Sequence, residues 1–277
     1  MNAQRKARKI VQTGRHHAGQ NRRALGRIVL LAILVGGLLI GMGPVMGPAG
    51  AATASDTLQD VRFGDHGTYE RAVLDLGWDH APGDVAPVYT WRYRNGDWIV
   101  RINLPAVEST LKTDGPALGL GISRYYVVRR ADDTLAVDLR LRKPAGTVKV
   151  FSLDHPARVV VDVRPGGLPL YPEPAECKTA VITAPRLSYL VGPDTFKVSG
   201  YGRPFEAQGV WRLKNSAGRV VRQGAYTTND WDSAWGSFGF EVTYPSTLAG
   251  HTGMLQVGDY SPEDGHFRGA SVALRFE

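Results

Sequence analysis

The chain reads Asp97-Trp-Ile-Val-Arg-Ile-Asn-Leu104, and its apolar residues recur at every second position from Trp98 to Leu104. Arg101 and Asn103 occupy the positions between them. Side chains of an extended backbone point alternately to opposite faces, so strict alternation predicts a strand with one face in a core. This pattern dominates the chain from about residue 58 to residue 163 and predicts an all-β region there.

Neighbouring runs predict the partners of that strand. Tyr89, Trp91 and Tyr93 alternate in the same way, and Asn95-Gly96 predicts a type I′ hairpin turn because both residues tolerate positive φ. A second hairpin is predicted from residues 125–128 through the aspartates at 132 and 133 to residues 135–141. In its second strand, the alternation places four apolar side chains on the core face and Asp138, Arg140 and Arg142 on the other. Further strands are predicted at residues 72–76, 148–150 and 159–163.

The second half of the chain also predicts strands. Residues 165–179 contain four prolines, which favour an extended, semi-rigid linker between a domain at 56–164 and one at 180–277. Seven short strands separated by turn residues fit an immunoglobulin-like sandwich. They are expected at 180–183, 195–199, 209–213, 220–226, 238–242, 254–258 and 270–276. Cys177 is the sole cysteine, so this sandwich has no inter-sheet disulfide.

The N-terminus has the layout of an export signal. Residues 1–27 carry eight Lys and Arg and no Asp or Glu, and residues 28–54 carry no charge. A basic tail before an apolar segment predicts either a cleaved signal peptide or a retained transmembrane helix. In both cases the tail stays in the cytoplasm, and the rest lies on the extracytoplasmic face of the membrane or is secreted. Downstream of residue 27, Lys and Arg number 25 against 26 Asp and Glu, so the basic pI does not indicate a nucleic-acid-binding protein.

Three segments of the first β region stand out: Val61-Arg-Phe-Gly64, Tyr69-Glu-Arg-Ala-Val-Leu-Asp-Leu76 and His155-Pro-Ala-Arg-Val-Val-Val-Asp-Val163. With these segments, the region resembles the AMIN-like domain. This resemblance implies an all-β fold that places its host protein at the cell wall or at envelope machinery.

A series of short segments runs through the second β region: Ile182-Thr-Ala-Pro185, Phe196-Lys-Val-Ser-Gly-Tyr201, Phe205-Glu206, Trp211-Arg-Leu213, Trp235-Gly-Ser-Phe238 and Gly253-Met-Leu-Gln-Val257. In order and spacing, these segments resemble the immunoglobulin-like domain of bacterial spore germination and other envelope proteins. This resemblance implies a non-catalytic exported module. The germination-type domain that often accompanies it is not recognisable in the sequence.

Catalytic motifs are missing from the sequence. It has no His-Glu-x-x-His zinc helix, no Walker loop and no Gly-x-Ser-x-Gly elbow, which argues against an enzyme and predicts no cofactor. Gly119-Leu-Gly121 precedes a strand, so it is interpreted as a loop and not as a dinucleotide fingerprint. Asn229, Asp230 and Asp232 suggest an Asx-rich turn in preference to a calcium site, and no metal site is predicted.

Two sets of side chains are candidates for ligand binding. Exposed aromatic rings stack on sugar rings, whereas the same rings at alternating positions serve as core packing. The aromatic candidates are Tyr89, Trp91, Tyr93, Trp98, Trp231 and Trp235. The basic candidates, which would face anionic wall polymers or only protect a strand edge, are Arg129, Arg130, Arg140 and Arg142.

The sequence therefore predicts a non-catalytic exported envelope protein that binds cell-wall peptidoglycan or an envelope partner. The alternative is a structural component of a sporulation, germination or secretion assembly that recognises proteins through a free sheet edge. A hydrolase would require dispersed histidines and carboxylates to converge in one pocket.

Overall fold

The computed structural model describes residues 55–94, 96–167 and 174–277, which form twenty β-strands, two 3-10 turns and no α-helix. The predicted all-β class is confirmed for these residues. Within them, no helix is long and apolar enough to cross a membrane. The predicted tail at 1–27 and the predicted signal or anchor at 28–54 lie outside the described residues.

The first β region is a pair of facing sheets. One sheet has the order β10-β11-β2-β1-β6, with β3 on β2, and the other begins β4-β5-β9-β8, with β7 on β8. The strands are β1 (Thr57–Asp65), β2 (Glu70–Trp78), β3 (Ala81–Pro82), β4 (Thr90–Arg94), β5 (Ile99–Leu104), β6 (Ser109–Thr110), β7 (Asp114–Pro116), β8 (Ile122–Arg129), β9 (Leu135–Leu141), β10 (Ala145–Leu153) and β11 (Arg158–Pro165).

A hydrophobic core fills the space between these two sheets. It contains the alternating apolar residues of β2 and β11 from one sheet and those of β5 and β9 from the other. Each fully buried Leu, Ile or Val contributes about 1.5–3 kcal/mol relative to an exposed position. The alternation in the sequence therefore selects the buried face of each strand.

The second β region is a two-sheet sandwich with its own core, which includes Phe196, Phe238 and Phe276. One sheet has the order β14-β20-β19-β16-β17 and the other contains β12-β13-β15-β18. The strands are β12 (Ala175–Glu176), β13 (Ala180–Ala184), β14 (Tyr189–Val191), β15 (Thr195–Gly202), β16 (Gln208–Asn215), β17 (Val220–Thr227), β18 (Trp235–Thr243), β19 (Thr252–Tyr260) and β20 (Phe267–Phe276). All seven strands predicted for this region are present.

The two β regions share one sheet, because β18 pairs in parallel with β8 at Trp235↔Val128 and Gly236↔Arg129. Beside this short ladder lies an interface cluster of five buried residues: Tyr126, Val128, Val181, Tyr201 and Trp235. The rings of Tyr126 and Trp235 meet edge-on with centroids 4.7 Å apart, and those of Tyr126 and Tyr201 are 5.2 Å apart. Residues 53–277 accordingly form one compact unit.

Polar contacts reinforce the interface cluster. The Tyr126 hydroxyl donates to Glu176 Oε2 at 2.7 Å, and Arg140 forms an ion pair with the same carboxylate. Arg140 Nη2 also donates to the Pro174 carbonyl at 2.7 Å. Burial, followed by the hydrogen bond and charge of Glu176, raises the pKa of Tyr126 above its ordinary value, so this hydroxyl stays protonated as a donor.

The expectation that Arg140 faces a ligand or protects a strand edge is wrong, because the outer face of β9 is buried. Every residue of β9 is buried, and the Asp138 side chain is 0% exposed. Asp138 accepts both hydrogen bonds of a bidentate pair from Arg101, each at 2.6 Å. The reason is that the second β region packs over this face, so its polar side chains form buried pairs.

The predicted hairpin between β4 and β5 is present, but its connection is longer than the two residues expected at Asn95-Gly96, of which Asn95 lies outside the described residues. Arg94 pairs with Ile99, so four residues connect β4 to β5. The backbone of Trp98 has a φ of 51° in this connection, and its side chain joins the core of the first β region. The second hairpin is confirmed, with Arg129 paired to Leu135. The boundary predicted at 165–179 stays a prediction.

Removal of the indole at the centre of the interface tests how much this contact contributes. Trp235 is 3% exposed, and we expect Trp235→Ala to lower the free energy of unfolding by about 3–5 kcal/mol. Trp78→Ala is the control, because Trp78 is 56% exposed and its loss should change stability by less than about 0.5 kcal/mol. Urea unfolding measures both. Equal, small losses of unfolding free energy in the two variants would contradict the burial of Trp235 between the two β regions.

The buried Asp138–Arg101 pair gives a second stability prediction. Asp138→Asn leaves the Arg101 charge buried without compensation and should cost about 3–5 kcal/mol. Asp75→Asn removes a carboxylate from an ion pair whose arginine, Arg62, is largely exposed, and should cost less than about 1 kcal/mol. Chemical denaturation of the two variants compares them directly. If Asp138→Asn lowers the free energy of unfolding no more than Asp75→Asn does, the Asp138–Arg101 pair is solvated.

Candidate functional site

A cleft of about 520 Å³ opens where loops of the second β region meet β7 of the first. Four connections form its walls: the β12–β13 turn, the β15–β16 turn, the β17–β18 loop and the β19–β20 turn. Its lining residues are Asp114, Lys178, Thr179, Arg203, Phe205, Trp231, Asp232, Trp235, Asp259, Ser261, Pro262, Glu263 and Arg268.

Two exposed aromatic side chains line this cleft. Phe205 is 56% exposed and Trp231 is 39% exposed, and their rings meet edge-on with centroids 5.8 Å apart. We call them the aromatic pair. Adjacent exposed rings bordered by polar groups are typical of binding surfaces and not of a solvated surface loop. The pair therefore identifies the cleft as the candidate functional site.

Phe205 projects outward from a strained turn. Glu206 and Ala207 follow it with φ values of 53° and 60°, in the left-handed region. Residues with a Cβ adopt this region at a cost of about 1 kcal/mol or more each, and such outliers cluster at functional sites. Two in succession hold Phe205 at the surface immediately before β16 begins.

Arg203 fixes the position of Trp231. Its guanidinium donates through Nε to the Trp231 carbonyl at 2.9 Å and through Nη2 to the Asp232 carbonyl at 2.7 Å. The remaining nitrogen, Nη1, donates to the Thr113 hydroxyl at 2.9 Å. One side chain thus connects the aromatic pair to the first β region.

Asp230 orders the rest of the β17–β18 loop. Its carboxylate accepts from the backbone N–H of Asp232, from Ser233, and from Arg129 Nε at 3.0 Å. Burial would raise the pKa of this carboxyl, but the hydrogen bonds from Ser233 and Arg129 outweigh burial and lower the pKa. Both oxygens are occupied by donors of the protein. In the parts of the chain that the structure describes, no three His, Cys, Asp or Glu residues are grouped to hold a metal.

The walls of the cleft offer polar groups that the described part of the chain does not engage. Among the described residues, the side chains of Lys178, Asp232 and Glu263 form no hydrogen bond or ion pair. Asp259 accepts from the Thr179 hydroxyl at 2.8 Å through one oxygen. Carboxylates accept hydrogen bonds from hydroxyl and amide groups, while the aromatic rings contact C–H surfaces. This combination is suited to a polar ligand with an apolar face.

Most predicted aromatic candidates lie away from this cleft. Tyr89, Trp91 and Tyr93 are partly buried and pack against the core of the first β region, with Trp98 inside that core. Trp235 belongs to the interface cluster, which leaves its indole little surface for a ligand. Of the six aromatic candidates, Trp231 alone is both exposed, at 39%, and part of the cleft lining.

The predicted basic edge is divided by the interface. The Arg140 guanidinium is buried against Glu176, and Arg129 pairs with Asp230. Arg142 is exposed and donates to the Gly119 carbonyl at 3.0 Å, and Arg130 forms an ion pair with Asp132 at 3.2 Å. Two of the four basic candidates, Arg129 and Arg140, therefore pair with carboxylates of the second β region, which covers part of that face.

Sequence reasoning missed Phe205, Lys178, Glu263 and the role of Arg203 as cleft residues. These residues lie in turns separated by up to about 85 positions in the sequence. The alternation of apolar residues along a strand does not indicate which turns come together in space. The Pro204–Phe205 turn, with an aromatic residue outside any predicted strand, was the one available signal.

Comparisons with known proteins cover the second β region. Residues 179–266 match the model of the Gmad2 family, described as the immunoglobulin-like domain of bacterial spore germination. This match confirms the immunoglobulin-like resemblance of that segment. It does not extend to the first β region, where the AMIN-like resemblance stays a prediction. No curated protein and no solved structure matches the chain.

The lowered pKa of Asp230 predicts a pH dependence. Its ionised form stabilises the fold above the ordinary carboxyl pKa of 3.8, and this contribution is lost as the pH falls through the lower folded-state value. We expect Asp230→Asn to lose less stability than the parent protein between pH 5 and pH 2 (about the range over which carboxyls titrate). Thermal unfolding at successive pH values measures this. Parallel curves for the two proteins would contradict the role of Asp230.

Proposed function

We propose that this protein is a non-catalytic module of the bacterial envelope that binds cell-wall glycan in the cleft. The observation that carries the proposal is the exposed aromatic pair, Phe205 and Trp231, beside free carboxylates. The proposal requires neither a cofactor nor a metal.

The chemistry of the cleft supports a carbohydrate ligand. A sugar ring presents C–H groups on its faces and hydroxyl or acetamido groups around its edge. The indole of Trp231 offers a flat apolar surface to the face of such a ring. Asp232, Asp259 and Glu263 offer acceptors to the hydroxyl and amide donors, and Lys178 offers a donor to the carbonyl oxygens.

The location outside the cytoplasmic membrane rests on the N-terminal sequence. The basic tail and the uncharged segment at 28–54 support export with either a cleaved signal or a retained anchor. The immunoglobulin-like match to a family of spore germination proteins is consistent with an envelope module. The AMIN-like resemblance of the first β region supports the same location.

The compact unit at 53–277 helps such a module to bind. Since Arg203 and Asp230 both bond across the two β regions, the cleft is organised before a ligand arrives. Preorganisation lowers the entropy lost on binding. One shallow cleft gives modest affinity, and tethering to a membrane beside a repetitive polymer would increase it through effective concentration.

A second candidate function is assembly through a sheet edge. β17 is the outer strand of its sheet, pairs only with β16 through backbone hydrogen bonds, and is mostly exposed along its eight residues. An added strand from a partner would complete its free N–H and C=O groups. The protein would then be a structural component of an envelope assembly.

The deciding experiment is retention of residues 53–277, which contain both cores, on purified insoluble cell wall. We expect Trp231→Ala and Phe205→Ala each to weaken retention at least about tenfold, or 1.4 kcal/mol. Trp78→Ala removes a more exposed indole, 56% against 39% for Trp231, that does not line the cleft, and should bind as the parent does. The measurement is made at low and at moderate salt.

The outcomes separate the two functions. Retention at both salts that depends on Trp231 supports glycan stacking. Retention that disappears at moderate salt and is the same in Trp231→Ala as in the parent reflects charge alone and contradicts the cleft proposal. No retention in either buffer removes glycan as the ligand and leaves the sheet-edge assembly.

A further inference from the structure

An arginine-rich face lies on β4 and its neighbours, apart from the cleft. Arg92 and Arg94 point to the side of β4 opposite the core-facing Trp91 and Tyr93. β4 is the edge strand of its sheet, and Arg92 is directly paired with Arg101 on β5. We define the arginine face as Arg92, Arg94 and Arg130. The Arg101 side chain is only 12% exposed and is bound by Asp138, so it contributes charge to this face but no contact.

The carboxylates near this face are already engaged. Asp138 is bound bidentately by Arg101, and Asp132 pairs with Arg130. Asp97 forms ion pairs with both Arg94 and Arg186. No carboxylate in residues 55–94, 96–167 or 174–277 pairs with Arg92, which is exposed.

Arg92 therefore carries surplus positive charge. Burial, and then the charges of Arg101, Arg94 and Arg130, lower its pKa, with Asp138 opposing them. Arginine remains protonated at neutral pH, so this repulsion persists in the folded protein. An anion that contacts Arg92 would relieve it.

We propose that the arginine face is a binding site for phosphate groups, with Arg92 as the primary contact. A guanidinium presents a planar fork of donors that matches two phosphate oxygens at once. Like charges on an edge strand also discourage sheet-to-sheet aggregation. Any charged side chain would protect the strand edge in this way, whereas phosphate binding requires the planar guanidinium of an arginine at position 92.

The ligand class is a phosphodiester or phosphomonoester, either in a soluble or wall-attached polymer or in the headgroup of a lipid. The site shares no residue with the cleft. A negative result for phosphate binding therefore leaves the glycan proposal unchanged, and a negative result for glycan binding leaves the phosphate proposal unchanged.

The test is calorimetric titration of the protein with short-chain inorganic polyphosphate. We expect Arg92→Gln to weaken binding by about tenfold, and Arg92→Lys, which keeps the charge without the fork, to give only partial recovery. Arg222→Gln is the matched control, because Arg222 is an exposed arginine on another edge strand, β17. It should bind polyphosphate as the parent does.

A parallel arm uses phosphatidylglycerol vesicles to distinguish the two sources of phosphate. Binding to both probes with loss in Arg92→Gln supports the site and includes lipid headgroups among its ligands. Binding to polyphosphate alone, with the same loss, supports the site for a polymer. Equal weakening by Arg92→Gln and Arg222→Gln, or no binding to either probe, overturns the proposal.

Discussion

Burial of the outer face of β9 beneath the second β region is the constraint on which the rest of the structure depends. A strand with both faces covered has no solvent for its polar side chains, so each of them must find a protein partner. Asp138 meets this demand through Arg101, and Arg140 does so through Glu176. The Arg140–Glu176 pair and the ring contact between Tyr126 and Trp235 join the two small sandwiches into one compact unit.

The same contact gives the molecule two distinct surfaces. Near the β18–β8 junction, Arg203 and Asp230 reach across the interface and hold the loop that carries Trp231. At the β4 edge of the same sheet, Arg92 is exposed with like charges around it. One compact unit therefore carries an aromatic cleft and a cationic face. This combination suits a polymer network that contains both sugar and phosphate groups.

The sequence determined the secondary structure well, because apolar alternation reports directly on which side of a strand is buried. It predicted the β4–β5 and β8–β9 partners and all seven strands of the second β region. Alternation does not reveal whether the polar side is covered by another sandwich, so Asp138 and Arg140 were expected at the surface. The Asn95-Gly96 signal was overridden because Trp98 extends the turn to reach the core. The cleft depends on turns distant in sequence and had no local pattern.

The central claim is that the two β regions behave as one body, and backbone ¹⁵N NMR relaxation of residues 53–277 tests it most directly. Amides in β2 and β11 report on the first β region, and amides in β16 and β19 report on the second. The account predicts one rotational correlation time for all four strands, as expected for a single compact particle. Two shorter, different correlation times would show sandwiches that tumble separately, and would contradict the buried interface at Trp235.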